Sequence, residues 1–189
     1  THRHRSQPAR HSKPKGYIAQ GPNQVWSWDI TYLPSIIRGK SYYLYMIVDV
    51  WSRKIVGFEV FDCESMEYSS WLIEETYQRE KVSPGQVVLH SDNGGPMKGS
   101  TMLAKLDLLG VTSSFSRPSV SNDNPYSESL FRTLKYRPKY PTKPFDSLDS
   151  AREWVVEFVD WYNNRHLHSS IGYVTPVARH EKKSAEILQ

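Results

Sequence analysis

The sequence predicts an α/β domain on a five-stranded mixed sheet, an antiparallel three-strand meander joined to two parallel strands and flanked by helices. Three observations carry that expectation. Residues 25–61 hold three β-branched and aromatic runs separated by short polar links, the pattern of consecutive antiparallel strands. Apolar residues then recur at helical spacing over 65–81 and again over 98–109. Each of these stretches leads into a short apolar run, 86–90 and 111–115, and a strand reached through a helix lies parallel to its partner.

A chain of 189 residues with 38% hydrophobic and 13% aromatic side chains can bury one good core. No apolar run approaches the ~20 residues that cross a bilayer, and no signal peptide opens the chain, so a cytoplasmic protein is expected. The single cysteine, Cys63, excludes an internal disulfide and a cysteine-rich zinc site. Net charge is +4, unevenly spread: Arg3, Arg5, Arg10, Lys13 and Lys15 stand in residues 1–16 without an acid, leaving the remainder close to neutral. A second positive run, Arg132, Lys135, Arg137, Lys139 and Lys143, is also free of acids. Such runs draw in polyanions by releasing counterions, although a solvated tail or loop has the same composition.

Taken in order, residues 1–22 lack apolar periodicity and read as a basic flexible linker. The chain begins with Thr rather than Met and is expected to be a piece of a longer protein. Val25–Leu33 is the first strand; period two puts Trp26, Trp28, Ile30 and Tyr32 on one face and Ser27, Asp29 and Thr31 on the other. An acid inside so apolar a strand is costly unless a metal or a basic side chain pairs with it. Pro34–Ser41 is a polar turn, and Tyr42–Val50 and Lys54–Phe61 are the second and third strands. Asp49 rivals Asp29, but at a strand end beside Arg53 it suits an ion pair or a turn cap better.

Ser65–Lys81 is helical, with Met66, Trp71, Leu72, Ile73 and Tyr77 as its apolar stripe and Ser65 as N-cap. Gln86–His90 is a buried strand whose carboxyl end delivers Ser91 and Asp92, where open α/β sheets place their sites. Asn93-Gly94-Gly95 then turns the chain sharply, an arrangement that an ordinary Asx turn would share. Lys98–Leu109 is a second helix stopped by Gly110, Val111–Phe115 the fifth strand, and Arg117–Asp123 a loop beside the site. Asn124 reads as an N-cap with Pro125 at the first helical position. In that helix Leu130, Phe131 and Leu134 face the core, while Glu128, Arg132 and Lys135 share an exposed side. Three prolines make 136–145 an extended connector, whose Tyr136 and Tyr140 could stack on an exposed base. Ser147–Asn164 is the last long helix, apolar through Leu148, Trp154, Val155, Phe158, Val159 and either Trp161 or Tyr162. His166 and His168 lack further ligands for zinc, and residues 179–189 read as a charged tail.

Asp29, Asp92 and Glu128, with 35 residues between the last two, are the residue types that hold a pair of divalent ions for phosphoryl transfer. Their settings, WSWDIT, HSDNGG and NPYSESLFRTLK, resemble the acidic triad of retroviral-integrase-like DDE transposases, especially those of bacterial insertion sequences with two overlapping frames. The flanks YLYMIVDVWSRKIVGFEV and WYNNRHLHSSIGYVTP, and Lys135 seven residues after the glutamate, extend the resemblance over about residues 23–178, the expected catalytic core. The resemblance implies an RNase H-like fold, catalytic and metal-binding roles for Asp29, Asp92 and Glu128, and Mg2+ that Mn2+ can replace, two ions per site once DNA is bound. It further implies DNA strand cleavage and strand transfer on insertion-sequence ends and target DNA, homo-oligomers on DNA, no membrane, a nucleoid-associated location, and a helix-turn-helix region ahead of this stretch. Lys135, Arg132, Arg117 and Asn93 are the candidates for DNA contact. Two other readings stay open: a catalytically silent DNA-binding or assembly fragment of a transposase, and an RNase H-type nuclease.

Overall fold

The computed structural model describes residues 17–92, 98–116, 124–137 and 139–182. The basic tail, Asn93, and the loop with Arg117 and Asp123 lie outside the described residues. Five strands form one sheet: β1 (Val25–Pro34), β2 (Ser41–Asp49), β3 (Ile55–Phe61), β4 (Val88–Ser91) and β5 (Thr112–Phe115), in the order β3-β2-β1-β4-β5. The pairs β1–β2 and β2–β3 are antiparallel, and β1–β4 and β4–β5 are parallel, the mixed arrangement expected from the links. The helices are α1 (Met66–Arg79), α2 (Ser100–Leu109), α3 (Pro125–Lys135), α4 (Leu148–Asn164) and a short α5 (Pro176–His180).

Both faces of the sheet are covered. Trp26 and Trp28 of β1 pack with Tyr45, Leu72 and Ile73 of α1 and Met102 and Leu106 of α2. The opposite face, with Leu33, Leu44, Met46 and Val48, packs against Leu130, Phe131 and Leu134 of α3 and Val155, Phe158 and Tyr162 of α4. Each large apolar side chain so buried contributes about 1.5–3 kcal/mol. The choice left open in α4 falls to Tyr162, which is buried, while Trp161 lies at the half-exposed edge.

The stripe expected for α1 is displaced. Ser69, Leu72, Ile73 and Thr76 face inward, and Trp71 is 46% exposed, set edge-on to Phe61 at 6.1 Å. The reason lies in β3, where Gly57 lets the helix come close: a Cβ there would sit 2.3 Å from the Thr76 hydroxyl. Small side chains occupy the contact, and the indole is pushed to the flank. Tyr140 meets Trp154 of α4 edge to face at 5.4 Å, so its ring is partly packed into the fold.

Asp49 is fully buried and serves the turn into β3. Its carboxylate accepts from the backbone N–H groups of Asn23 and Ser52, both at 2.8 Å, and from the Ser52 hydroxyl at 2.7 Å. Since that hydroxyl gives its proton to Asp49, its oxygen accepts from His180 Nδ1 at 2.9 Å. His180 Nε2 faces the Glu80 carboxylate at 3.1 Å, which Lys54 also binds at 2.8 Å. With both ring nitrogens donating, His180 is an imidazolium. Burial opposes the charge, but the nearby Asp49 carboxylate, 3.8 Å from Nδ1, and the hydrogen bond to Glu80 prevail and raise its pKa. Burial likewise opposes ionisation of Glu80, and its bonds from His180 and Lys54 bring it down to about 2. The stretch read as a charged tail from residue 179 therefore begins inside α5, which the network ties to the sheet.

The network sets a pH dependence. His180, raised in the native state, stabilises the fold fully below its ordinary value and loses that contribution as pH rises through the elevated one. Glu80, lowered, contributes above the ordinary carboxylate range and fades as pH falls toward about 2. His180→Gln should therefore lower the melting temperature at pH 6 by the equivalent of about 2 kcal/mol, with a smaller deficit at pH 9. Thermal melts of both proteins across that range check it; a deficit that grows with pH would contradict the imidazolium assignment.

Candidate active site

The sheet register brings the first two acids together. In the parallel β1–β4 pair Trp28 stands opposite Ser91, so Asp29 and Asp92 are the next residues along adjacent chains. Adjacent strands run about 4.8 Å apart. Asp29 is half-buried, and the single hydrogen bond it receives among the described residues comes from the Ile30 N–H, at 2.8 Å. Its carboxyl is pushed up to about 7, first by burial, against the Ile30 N–H, and further by the negative charges of Asp92 and Glu128, with Lys135 pulling the other way. Side chains from β1, the end of β4 and α3 thus share one electrostatic field. Asp92, Glu128 and Lys135 are all exposed around it.

Glu128 depends on how α3 is seated, and polar groups seat it. Ser27, fully buried on the Asp29 face of β1, donates to the Asn124 side-chain carbonyl and lies 2.7 Å from the Ser127 hydroxyl. Asn124 Nδ2 donates to the Trp28 carbonyl at 3.1 Å. Asn124 does occupy the N-cap position, but its side chain makes no capping bond, because both its polar atoms are engaged by β1. Sequence reasoning missed this clamp. The available signal was Ser27 on the strand face that carries Asp29, together with a serine next to the candidate glutamate.

On the outer side of α3, Arg132 and Lys135 are exposed as expected. An open cleft of about 600 Å3 continues that surface, lined by Arg132, Tyr136, Arg137, Lys139 and Trp161. Arg137 lies over the Trp161 ring at 4.1 Å, and Tyr136 is 82% exposed. His166 stacks with Tyr162, and His168 accepts from the Ser170 N–H, so both are engaged in folding contacts. Asn93 and Arg117 lie outside the described residues.

The donor set suits a hard cation: three carboxylates, with the neighbouring His90 ring turned to Ser114 at 3.0 Å. Among the described residues no three His, Cys, Asp or Glu side chains stand close enough to hold a metal ion as they are. The fit is therefore one of chemistry and charge: the negative charges of Asp92 and Glu128 add to the cost of ionising Asp29, a cost that a divalent ion would relieve.

Two outcomes follow. Removing the amide clamp by Asn124→Ala should cost about 1–3 kcal/mol in denaturant melts, since the Trp28 carbonyl loses its amide donor and the Ser27 hydroxyl keeps only its Ser127 contact. Separately, in metal-free buffer, Asp29 binds its proton more tightly folded than unfolded, so stability should fall as pH rises from the ordinary carboxylate range through about 7. Asp29→Asn should flatten that decline and be the more stable protein at pH 8; a mutant less stable there would show that the carboxylate is structurally paired.

Comparison with known proteins agrees with this architecture. Residues 19–121 and residues 109–176 match family models that are both described as Integrase core domain. The chain is 31% identical over 165 residues to the transposase for insertion sequence element IS904 of Lactococcus lactis, and 28% identical over 170 residues to the transposase InsF for insertion sequence IS3A of Escherichia coli. These alignments take in 85% of this chain but 62% and 54% of the relatives, so it spans little more than half their length. The catalytic core domain of HTLV-2 integrase, solved in complex with magnesium, superposes with a TM-score of 0.61 at 16% identity, covering 86% of this chain and 99% of that one. With more than half of its length matching one such model, the chain belongs to the integrase core domain family.

Proposed function

We propose that this chain is the catalytic domain of a DDE transposase, performing metal-dependent DNA strand cleavage and strand transfer for an insertion sequence. The observation that carries the reading is the field around Asp29: burial and the charges of Asp92 and Glu128 push its carboxyl up to about 7. A half-buried carboxylate on β1 with two further carboxylates acting on it marks a site where function overrides stability. Transposase relatives and the magnesium-bound integrase core support the same assignment.

In this reading Asp29, Asp92 and Glu128 hold Mg2+ or Mn2+, two ions once DNA is present. Such ions, when bound, supply Lewis-acid stabilisation of the attacking and leaving oxygens of a phosphodiester. The chain's own residues do the rest. Asp29 is positioned rigidly by its place in the middle of β1, while Glu128 is oriented by the Ser27–Asn124–Ser127 clamp. Lys135, which acts electrostatically on Asp29, sits where it can bind a phosphate beside the acids and fix the strand's register. Arg132 extends that contact, and Asn93 and Arg117 are proposed to border the same strand. The acting assembly is a homo-oligomer on DNA ends, associated with the bacterial nucleoid.

Asp92→Asn should abolish Mg2+-dependent cleavage and joining of element-end DNA, by at least about 10³-fold. Binding of the same DNA should be nearly unchanged. Mn2+ should restore wild-type activity after chelation, and Ca2+ should support binding alone. Gel assays of cleavage and joining decide it, and activity in Asp92→Asn equal to wild type would remove the carboxylate from the mechanism.

A further inference from the structure

Two arginines outside the acidic site are held in place with no carboxylate partner among the described residues. A cleft of about 390 Å3 is lined by Trp51, Arg53, Tyr126, Ser170 and Arg179, with Tyr17–Ala19 along its edge, and no acidic residue among its described lining. Arg53 lies over the Tyr126 ring at 4.3 Å, donates through Nη1 to the Val50 carbonyl at 2.6 Å, and through Nε to the Ser170 hydroxyl at 3.2 Å. Arg179 lies over the Trp51 ring at 4.2 Å, and its Nε is buried with no hydrogen-bond partner. A buried guanidinium N–H left unsatisfied costs about 1–3 kcal/mol or more, and among the described residues no group accepts from it.

The geometry points to a ligand. Aromatic rings lie against both guanidiniums, which restrains these donors while leaving their charge unneutralised. Planar forks of N–H donors match the oxygens of a phosphate better than any neutral partner. Arg53 also stands at φ 67°, in the left-handed region, where glycine would hold the turn at lower cost; the position is occupied by a side chain the cleft uses. Tyr126 is two residues before Glu128, and side chains two apart on a helix point about 200° away from each other. The cleft therefore opens on the side of the α3 start turned away from Glu128. The sequence leading into Tyr17 is the run of five basic residues without an acid, so positive charge continues along the chain that edges this cleft.

We propose that this cleft is a second, non-catalytic phosphate site, which takes a backbone phosphate of bound DNA between Arg53 and Arg179. The DNA occupant rests on the reading of the domain as a transposase core; the phosphate chemistry does not. A backbone contact here would fix the orientation of α3 on the duplex without reading its sequence.

The test measures affinity of the full chain for a 20-base-pair duplex without divalent cations, as a function of salt, for wild type, Arg179→Gln and Ser170→Glu. Ser170 is exposed, so its substitution places a carboxylate at the cleft with little risk to folding, and circular dichroism checks both variants. Each variant is expected to weaken binding about 3–10-fold and to reduce the slope of log K against log salt by about 1. Thermal melts in inorganic phosphate form the second arm: phosphate should raise the melting temperature of wild type and not of the variants. Folded variants with wild-type DNA affinity and slope overturn the proposal; if phosphate still stabilises wild type alone, the cleft is a small-anion site instead. Should wild type bind no DNA while the phosphate response persists and is lost in the variants, the transposase reading fails and the anion chemistry of the cleft stands.

Discussion

The site depends on a polar contact inside an apolar interface, the bonds that Ser27 of β1 makes with Asn124 and Ser127 of α3. The sheet by itself can align Asp29 with Asp92, because parallel pairing of β1 and β4 fixes their register. It cannot place Glu128, which comes from a helix packed across the sheet through Leu130, Phe131 and Leu134. Apolar packing is nondirectional and tolerates sliding or rotation of a helix. Hydrogen bonds between fully buried groups do not, since each misalignment leaves a desolvated donor or acceptor unpaired. That is why an N-cap residue gives up capping here: both polar atoms of its side chain are engaged by buried groups of β1.

The two aspartates in the central strands show what separates a structural acid from a functional one. Asp49 is the more buried, yet three donors from Asn23 and Ser52 satisfy it, and an imidazolium stands beyond. Asp29 is less buried, receives one N–H, and faces two further carboxylates. Burial alone would have ranked them the wrong way round. What distinguishes them is whether the fold supplies counter-charge, and at Asp29 it supplies only the distant Lys135. The network at Asp49, tied to Glu80, Lys54 and His180, closes the end of β2 firmly while the neighbouring site remains electrostatically unsatisfied.

Strand direction was legible because it follows from link lengths: short polar turns give antiparallel neighbours, and helical crossovers give parallel ones. The three acids were singled out through their flanking sequences, and the placement of Leu130, Phe131 and Leu134 was legible through helical period. The errors share a cause. Trp71 was assigned to the apolar stripe of its helix and was displaced by a neighbour that sequence cannot locate, Gly57, which draws α1 in through Thr76; Tyr140 was read as a free ring and is partly packed on Trp154. Asn124 was read by its local chemistry, while its partner lies 97 residues away. Local signals name a side chain's capacity for hydrogen bonding, and tertiary structure decides which partner uses it. His180 and Arg179 were invisible for the same reason, since a five-residue helix at the edge of a charged stretch has no periodicity to find.

The charge distribution follows from the same division. A cluster of acids repels a polyanion, and beyond its first sixteen residues the chain is close to neutral, so the proposed DNA substrate would not be held by overall attraction. It would have to be met at particular surfaces, and the described structure has two where basic side chains gather. One continues from Arg132 and Lys135 along the outer face of α3, with Arg137 over Trp161; the other holds Arg53 and Arg179 on Tyr126 and Trp51. Both border α3, the helix that the clamp fixes to the sheet. Contacts made on either side of that helix can therefore orient a duplex relative to Glu128, and through the clamp relative to β1, without any of them entering the acidic centre itself.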